Sequence, residues 1–378
     1  MTSLSATMLI WIAATTLITW LWPRRLQPYV IAACTASFFA WYSPLSMLIL
    51  LVSAVICYIP VVTRRKDWRI VVACTGAIAA ILVWFKIRQS TGADSPEYAV
   101  IPLGLSYYSL RLVHFTIDAW KGTLPQSTVG QFLCYLFFLP TLVAGPINRF
   151  QEFQRSLRRR RWDAMMFSRG LERILYGCAW IVIMGNYVIS FSLNKVVARL
   201  AVAHPALSEY LECASYGLNL FCQFAGYSDV AIGFAMLLGF TVCENFNYPL
   251  LARNIGEFWR RWHMSLSSWC RDYVYMPVLS VSRLPALAAL SSMIVLGLWH
   301  EVSLRYLAWG LYHGVGIAVW QVFRKAVGNR TVPTGLPATL AAGAAWFATM
   351  NFVLLGFAIT KERSLVDALA VYRTIFGL

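Results

Sequence analysis

Apolar runs recur along nearly the whole chain, separated by short polar or basic breaks. Many approach the roughly 20 residues that an α-helix needs to cross the hydrocarbon of a bilayer. Four spans read cleanly, at about 4–22, 27–42, 45–62 and 69–86. Arg24 and Arg25 follow the first run, and Arg64, Arg65 and Lys66 follow the third. Basic residues favour the cytoplasmic side, so the N-terminus is expected outside. The "YSP" turn at Tyr42–Pro44 and the polar loop Arg88–Glu97 then face outward. The first run lacks a positive segment ahead of it, which argues against a secretory signal. No soluble domain is expected at either end.

Two further apolar segments, about 100–119 and 129–148, precede the basic run Arg155–Trp162. If both crossed fully, those arginines would lie outside, against the positive-inside rule. One of the two is therefore expected to be re-entrant. Both contain helix breakers: Pro102 and Gly104 in one, Pro140, Gly145 and Pro146 in the other. Broken backbone at membrane depth needs protein or a water-filled cavity around it. Spans near 169–192, 210–241, 285–299, 303–323 and 337–360 follow, with an amphipathic tail. The pattern predicts an all-α polytopic membrane protein. It has about 10–11 transmembrane helices, plus re-entrant and interfacial amphipathic helices forming a funnel or tunnel. Short alternating segments of the β-barrel kind are absent, and no internal repeat is visible.

Composition agrees. The 378 residues are 59% hydrophobic and 13% charged, whereas soluble domains carry roughly a quarter charged residues. The net charge of +16 resides in short clusters between spans, including Arg158–Arg161, Arg260–Arg261 and Arg324–Lys325. That distribution suits topology and anionic headgroups of the lipid bilayer, and no nucleic-acid partner is expected. The nine cysteines form no C-x-x-C pair and read as small buried hydrophobes.

Candidate chemistry concentrates late in the chain. The stretch "FWRRWHMSLSSWCRDYVYMP", Phe258–Pro277, places Phe258, Trp262, Leu266, Trp269 and Tyr273 at helical spacing. It reads as an amphipathic helix at the cytoplasmic interface, with tryptophans at headgroup depth and arginines toward water or phosphate. His263 is superfluous to an anchor, so a catalytic wall stands as the competing reading. His300 and His313 lie at the edges of apolar spans, where histidine suggests function and suits proton transfer near neutrality. His114 suits a packed, hydrogen-bonded role, and His204 lies in a polar loop. On one continuous helix His300 and His313 would diverge by about 220°, and no metal site is expected. No G-x-S-x-G elbow appears. Asp229, in the small-residue stretch "FAGYSDVAIG" (Phe224–Gly233), is costly within an apolar helix. Gly226 and Gly233 there permit close helix packing.

Several stretches together resemble the membrane-bound O-acyltransferases, in the bacterial branch of alginate O-acetyltransferases and teichoic-acid D-alanyl transferases. They are "IPLGLSYYSLRLVHFTIDAWKG" (Ile101–Gly122), "LPTLVAGPINRFQEF" (Leu139–Phe153), "FAGYSDVAIGFAMLLGF" (Phe224–Phe240), Glu244–Pro277 with its "FWRRWH" core, "GLWHEVSLRYLAWGLYHG" (Gly297–Gly314) and the tail. They follow the family order and cover nearly the whole chain. The resemblance implies one membrane domain over 1–378: N-terminal helices at 1–97, a catalytic core at 98–320 and C-terminal helices at 321–378. It implies His300 as the catalytic residue, with His263 lining the same tunnel from the opposite segment. Trp299, Trp262, Tyr227, Ser228, Asp229, Asn245, Arg261, Ser265, Ser267, Asp272 and His313 are candidate lining residues, and Arg260 and Arg261 are weak candidates for donor phosphates.

The implied co-substrate is an acyl thioester, either acyl-coenzyme A or a small acidic acyl carrier protein, with no tightly bound cofactor. An extracytoplasmic hydroxyl would accept the group, and a periplasmic acyltransferase is a further candidate partner. The implied location is the bacterial cytoplasmic (inner) membrane.

Departures from the family pattern bear on substrate rather than reaction. Glu301 follows the Trp-His pair where glycine is usual, and it is expected to point toward Arg305 and solvent rather than act on His300. Gln223–Asp229 replaces D-F-S-G-Y-S-D, the segment after Pro277 is short, and Ala358-Ile359-Thr360 stands in the tail. Transfer of a short acyl group, acetyl above all, to a glycan or polyol is the leading expectation. D-alanyl transfer, a transporter and a non-catalytic scaffold are the alternatives.

Overall fold

The computed structural model describes residues 6–62, 67–91, 101–328 and 336–378. Arg64, Arg65, Lys66 and most of the polar loop that ends at Glu97 lie outside the described residues. The described residues contain helices and no strand, as the period of the apolar runs requires. In chain order the helices are α1 (Ala6–Leu21), α2 (Gln27–Tyr42), α3 (Pro44–Val62) and α4 (Trp68–Thr91). Then come α5 (Leu105–Lys121), α6 (Val129–Leu136), α7 (Phe150–Arg159), α8 (Ala164–Leu200) and α9 (Pro205–Leu237). The remainder are α10 (Ile255–Arg261), α11 (Met264–Cys270), α12 (Met276–Ser282), α13 (Pro285–His300), α14 (Leu304–Val327), α15 (Leu336–Lys361) and α16 (Leu365–Phe376).

Four segments are long and apolar enough to cross a membrane: Trp68–Ser90, Ala164–Leu200, Pro205–Leu237 and Pro337–Lys361. Ala6–Leu21, Pro44–Ile59 and Pro285–His300 are shorter apolar helices. The expected break in the 129–148 segment is explicit. The eight residues of α6 rise only about 12 Å, far short of a bilayer core, and a single 3₁₀ turn at Leu139–Thr141 follows. The segment around 100–119 instead contributes the continuous 17-residue helix α5.

The chain divides into two compact units. The first holds Met1–Cys178 and Gly226–Glu244. Its core is an aromatic cluster of Phe115, Phe132, Tyr135, Phe138, Phe150, Phe153 and Phe240, all buried. Two arginines are sunk into this unit. Arg111 is fully buried and donates to the carbonyl oxygens of Tyr135 and Thr141. Arg160 donates through Nε to the Leu238 carbonyl at 2.6 Å, and through Nη1 to the Gln27 side chain. The cluster Arg158–Arg161 was expected to serve topology and contacts to anionic headgroups. Arg158, Arg159 and Arg161 are exposed, but Arg160 is 3% exposed, because it satisfies the carbonyl left open where α9 ends. Close approach of α8 and α9 in this unit depends on glycine. A Cβ on Gly177 would stand 2.6 Å from the Gly226 carbonyl oxygen, and one on Gly233 would stand 2.6 Å from that of Gly170.

The second unit holds Ala179–Ala225 and Asn245–Leu378. Its frame is the antiparallel hairpin of α13 and α14. The hairpin closes tightly because Gly297 and Gly310 face backbone: a Cβ on either would meet a carbonyl oxygen at 2.4 or 2.6 Å. Glu301 leaves the helical conformation, and the Ser303 side chain caps α14 by accepting from the Tyr306 N–H at 3.3 Å.

Candidate active site

The stretch expected to be one amphipathic helix is two short helices and a wide turn. Asn254 caps α10, its side chain accepting from the Glu257 N–H at 2.8 Å, while Glu257 accepts from the Arg253 N–H at 2.9 Å. The helix ends after Arg261, and His263 adopts a left-handed conformation with φ 43° and ψ 53°. That conformation costs a non-glycine residue about 1–2 kcal/mol. Such strain persists where surrounding structure over-determines it. Here a backbone bond from Met264 N–H to the Asn245 carbonyl (2.8 Å) and another from Asn247 N–H to the Arg261 carbonyl (2.9 Å) hold the reversal. The chain then runs on through α11 and the i→i+5 turns of Arg271–Tyr275.

The reversal takes His263 inside, leaving it 1% exposed. Phe258, Trp259, Trp262, Leu266 and Trp269 are also buried, so the tryptophans pack against protein instead of presenting a free interfacial face. Trp262 stacks on Phe258 at 5.5 Å between centroids and meets Phe246 edge-on at 5.3 Å.

Of the four histidines in this unit, His263, His300 and His313 are joined through tryptophans. His263 meets Phe224 edge-on at 4.5 Å and the Trp299 ring at 6.2 Å. Trp299 is 4.8 Å from His300, and His300 is 5.9 Å from Trp309. Trp309 in turn lies 4.8 Å from His313, which Trp259 contacts at 5.2 Å. The divergence expected of His300 and His313 assumed a continuous helix. The break at Glu301 places them on two helices, with Trp309 in contact with both. Glu301 itself pairs with Arg305 at 2.7 Å, as its position four residues ahead allows.

The polar partners of His263 are specific. Its Nδ1 lies 3.0 Å from Asn245 Oδ1, and the same oxygen receives the Ser265 hydroxyl at 2.9 Å and the Ser265 N–H at 3.4 Å. The Nε2 is buried and has no hydrogen-bond partner among the described residues. His263 lies outside the segments long enough to span, and burial lowers its pKa well below 6.5, with His300 lowering it further. The ring is thus neutral at physiological pH. The indole N–H groups of Trp259 and Trp309 are also buried without an acceptor among the described residues. An unmet buried donor costs about 1–3 kcal/mol, a cost that an acceptor placed beside it would relieve.

Other candidates are engaged differently. Arg261 pairs with Glu257 at 2.7 Å, Ser267 donates to the Trp262 carbonyl at 3.1 Å, and Asp272 pairs with Arg271 at 2.8 Å. Arg260 is exposed. No cluster of three or more His, Cys, Asp or Glu side chains suited to a metal occurs among the described residues.

Tyr227, Ser228 and Asp229 belong to the first unit. Tyr227 lines a mainly apolar cavity of about 330 Å³ with Trp11, Phe38, Val143 and Phe234, and Ser228 is buried. Asp229 is held by Arg173, through Nε at 2.9 Å and Nη2 at 2.8 Å, and the same guanidinium reaches Glu244. A carboxylate in an apolar helix demands a partner, and an arginine within the preceding apolar span was the available signal for it. In the same unit His114 bonds Tyr135 Oη at 2.9 Å and accepts from the Phe150 N–H at 3.3 Å, the packed role its setting suggested.

Against this background the comparison with known proteins is decisive. The model of MBOAT, the membrane-bound O-acyltransferase family, matches residues 119–360. The chain belongs to the membrane-bound O-acyltransferase family.

It is similar to a probable alginate O-acetylase of Pseudomonas fluorescens, with 31% identity over 287 residues, 74% of this chain and 55% of that protein. A teichoic acid D-alanyltransferase of Streptococcus thermophilus is 32% identical over 282 residues, 68% of this chain and 67% of its own. A peptidoglycan O-acetyltransferase of Helicobacter pylori is 26% identical over 323 residues, 74% of this chain and 58% of its own. The chain spans about half the length of the alginate O-acetylases it matches. The family match covers α6 to α14 and with them every residue of the His263–Trp299–His300–Trp309 series.

Proposed function

We infer that this membrane-bound O-acyltransferase family member transfers a short acyl group, acetyl foremost, from a thioester to a hydroxyl of a glycan or polyol outside the cytoplasm. The observation that carries this reading is the contact series from buried His263 through buried Trp299 to half-buried His300, which brings two imidazoles to one ring in a site with unmet polar atoms. His300 takes the proton of the acceptor hydroxyl as its oxygen attacks the thioester carbonyl carbon. The carbon–sulfur bond breaks, and the leaving thiolate recovers the proton from the imidazolium. The negative charge that develops on the carbonyl oxygen needs a positioned donor, and the indole N–H of Trp309, beside His300 and without an acceptor among the described residues, is the group suited to it. His263 stays neutral and accepts a hydrogen bond from the acceptor.

The donor is acyl-coenzyme A or a small acidic acyl carrier protein on the cytoplasmic face, where the exposed Arg260 would meet phosphate. The chain acts as one domain in the bacterial inner membrane with its N-terminus outside, alone or with a periplasmic acyltransferase. Among the relatives described, two are named as O-acetylating proteins and one as a D-alanyltransferase. D-alanyl transfer from a carrier protein is therefore the second reading. Purified protein given radiolabelled acetyl-coenzyme A or D-alanyl carrier protein, with a polyol acceptor, separates them. Label entering the acceptor from the first donor supports acetyl transfer, and label from the second alone supports D-alanylation. Label from neither contradicts both.

A further inference from the structure

Asn245 stands on the chain just ahead of the helices that carry His263, and its side chain has a job that a lining residue would not need. The Ser265 backbone N–H points at the Asn245 side-chain atom that also faces His263, at 3.4 Å, and the Ser265 hydroxyl reaches it at 2.9 Å. A backbone N–H can only donate. That atom must therefore be the amide oxygen, and the group facing it from His263, 3.0 Å away, must also donate. In a neutral imidazole, one nitrogen donates and the other accepts. The proton is then on Nδ1, and Nε2 carries a lone pair.

We propose that Asn245 is a positioning residue that fixes His263 in the Nδ1-protonated tautomer, so that Nε2 enters the reaction centre as an acceptor only. The role rests on the reading of His263 given above. Three further observations support it. Nε2 is buried with no hydrogen-bond partner among the described residues, so none of them competes for the lone pair. Burial, with His300 beside it, keeps the ring uncharged, so the tautomer, and not the charge state, decides what the ring can do. The left-handed backbone at His263 and the Met264–Asn245 backbone bond at 2.8 Å lock ring and amide into one register. The orienting partner of an imidazole commonly decides which nitrogen is available.

The test uses the full chain in detergent with nitrogen-15 histidine, the His263 signals being assigned by comparison with His263→Gln. The expected spectrum has His263 protonated at Nδ1 and bare at Nε2. Asn245→Leu, which removes the acceptor, should populate the Nε2-protonated form. It should also lower kcat by about ten- to a hundredfold while the KM for the thioester stays within about twofold. Asn245→Asp keeps an acceptor on Nδ1 and should retain the wild-type tautomer and most of the turnover. An Nε2-protonated His263 in the wild type overturns the proposal, as does an unchanged tautomer in Asn245→Leu. The wild-type spectrum decides alone if the leucine variant does not fold. If the tautomer is as stated but the wild type transfers no acyl group, the functional reading fails and the positioning result stands.

Discussion

Arg173 holds Asp229 with two nitrogens, Nε at 2.9 Å and Nη2 at 2.8 Å, across the crossing of α8 and α9. The pair is partly exposed, at 29% and 19% for the two side chains, and Glu244 shares the same guanidinium. Removing one partner of a buried pair costs about 3–5 kcal/mol, because the other charge is left without compensation; partial exposure places this pair at the lower end of that range. Arg173→Leu is expected to lower the Tm in detergent, and Arg173→Leu with Asp229→Leu to recover part of the loss. Equal Tm values for the wild type and the single variant would refute the staple.

Trp309 offers a different signature. Its buried indole N–H has no acceptor among the described residues, so Trp309→Phe removes an unmet donor while keeping a smaller aromatic ring. The lost ring volume and the relieved donor oppose one another, so Tm should fall less than in Arg173→Leu. If the donor serves the oxyanion, kcat should fall by about a hundredfold, with the KM for the donor little changed. Full turnover in the phenylalanine variant would assign the oxyanion to another group.

Glu301 tests the charge distribution around His300. Its carboxylate is committed to Arg305 at 2.7 Å. Glu301→Gln should therefore leave kcat within about twofold and the acid limb of the pH–rate profile in place. A shifted limb would mean that the carboxylate acts on His300.

The lowered pKa of His263 makes a signed prediction about stability. Unfolding returns the ring to its ordinary value of 6.5. Below that pH the unfolded chain binds a proton that the folded one refuses. The stabilisation is complete above pH 6.5 and is lost as pH falls toward the depressed folded value. Tm should drop between pH 7 and pH 5, and drop less steeply in His263→Gln. Identical slopes would mean that His263 is not buried uncharged.

What was legible in the sequence follows from what each signal measures. The lengths of apolar runs located α1 to α4 and α8, α9 and α13 to α15 closely, because crossing or burying a helix requires uninterrupted apolar residues. The Tyr42–Pro44 turn was equally plain, since proline cannot continue a helix. The reversal at His263 was not legible. Helical periodicity presumes continuity, and a left-handed histidine carries no compositional mark of the kind glycine does. The same presumption separated His300 from His313, which the break at Glu301 brings to one tryptophan. Asp229 was correctly marked as costly, but charge alone did not say that Arg173 holds it. Asn245 was a candidate lining residue through the family resemblance, whereas its contacts with Ser265 and His263 were visible only in the folded chain.

The most direct measurement of the central claim is transfer of a labelled acyl group from a thioester to a hydroxyl acceptor by the purified protein, compared with His300→Ala and His263→Ala. A lost general base should cost on the order of 10²–10⁴-fold in turnover. His300→Ala should fall by that much, and His263→Ala should fall as well, with both variants folded by Tm. If both keep the full rate of acyl transfer, the paired histidines are not the reaction centre.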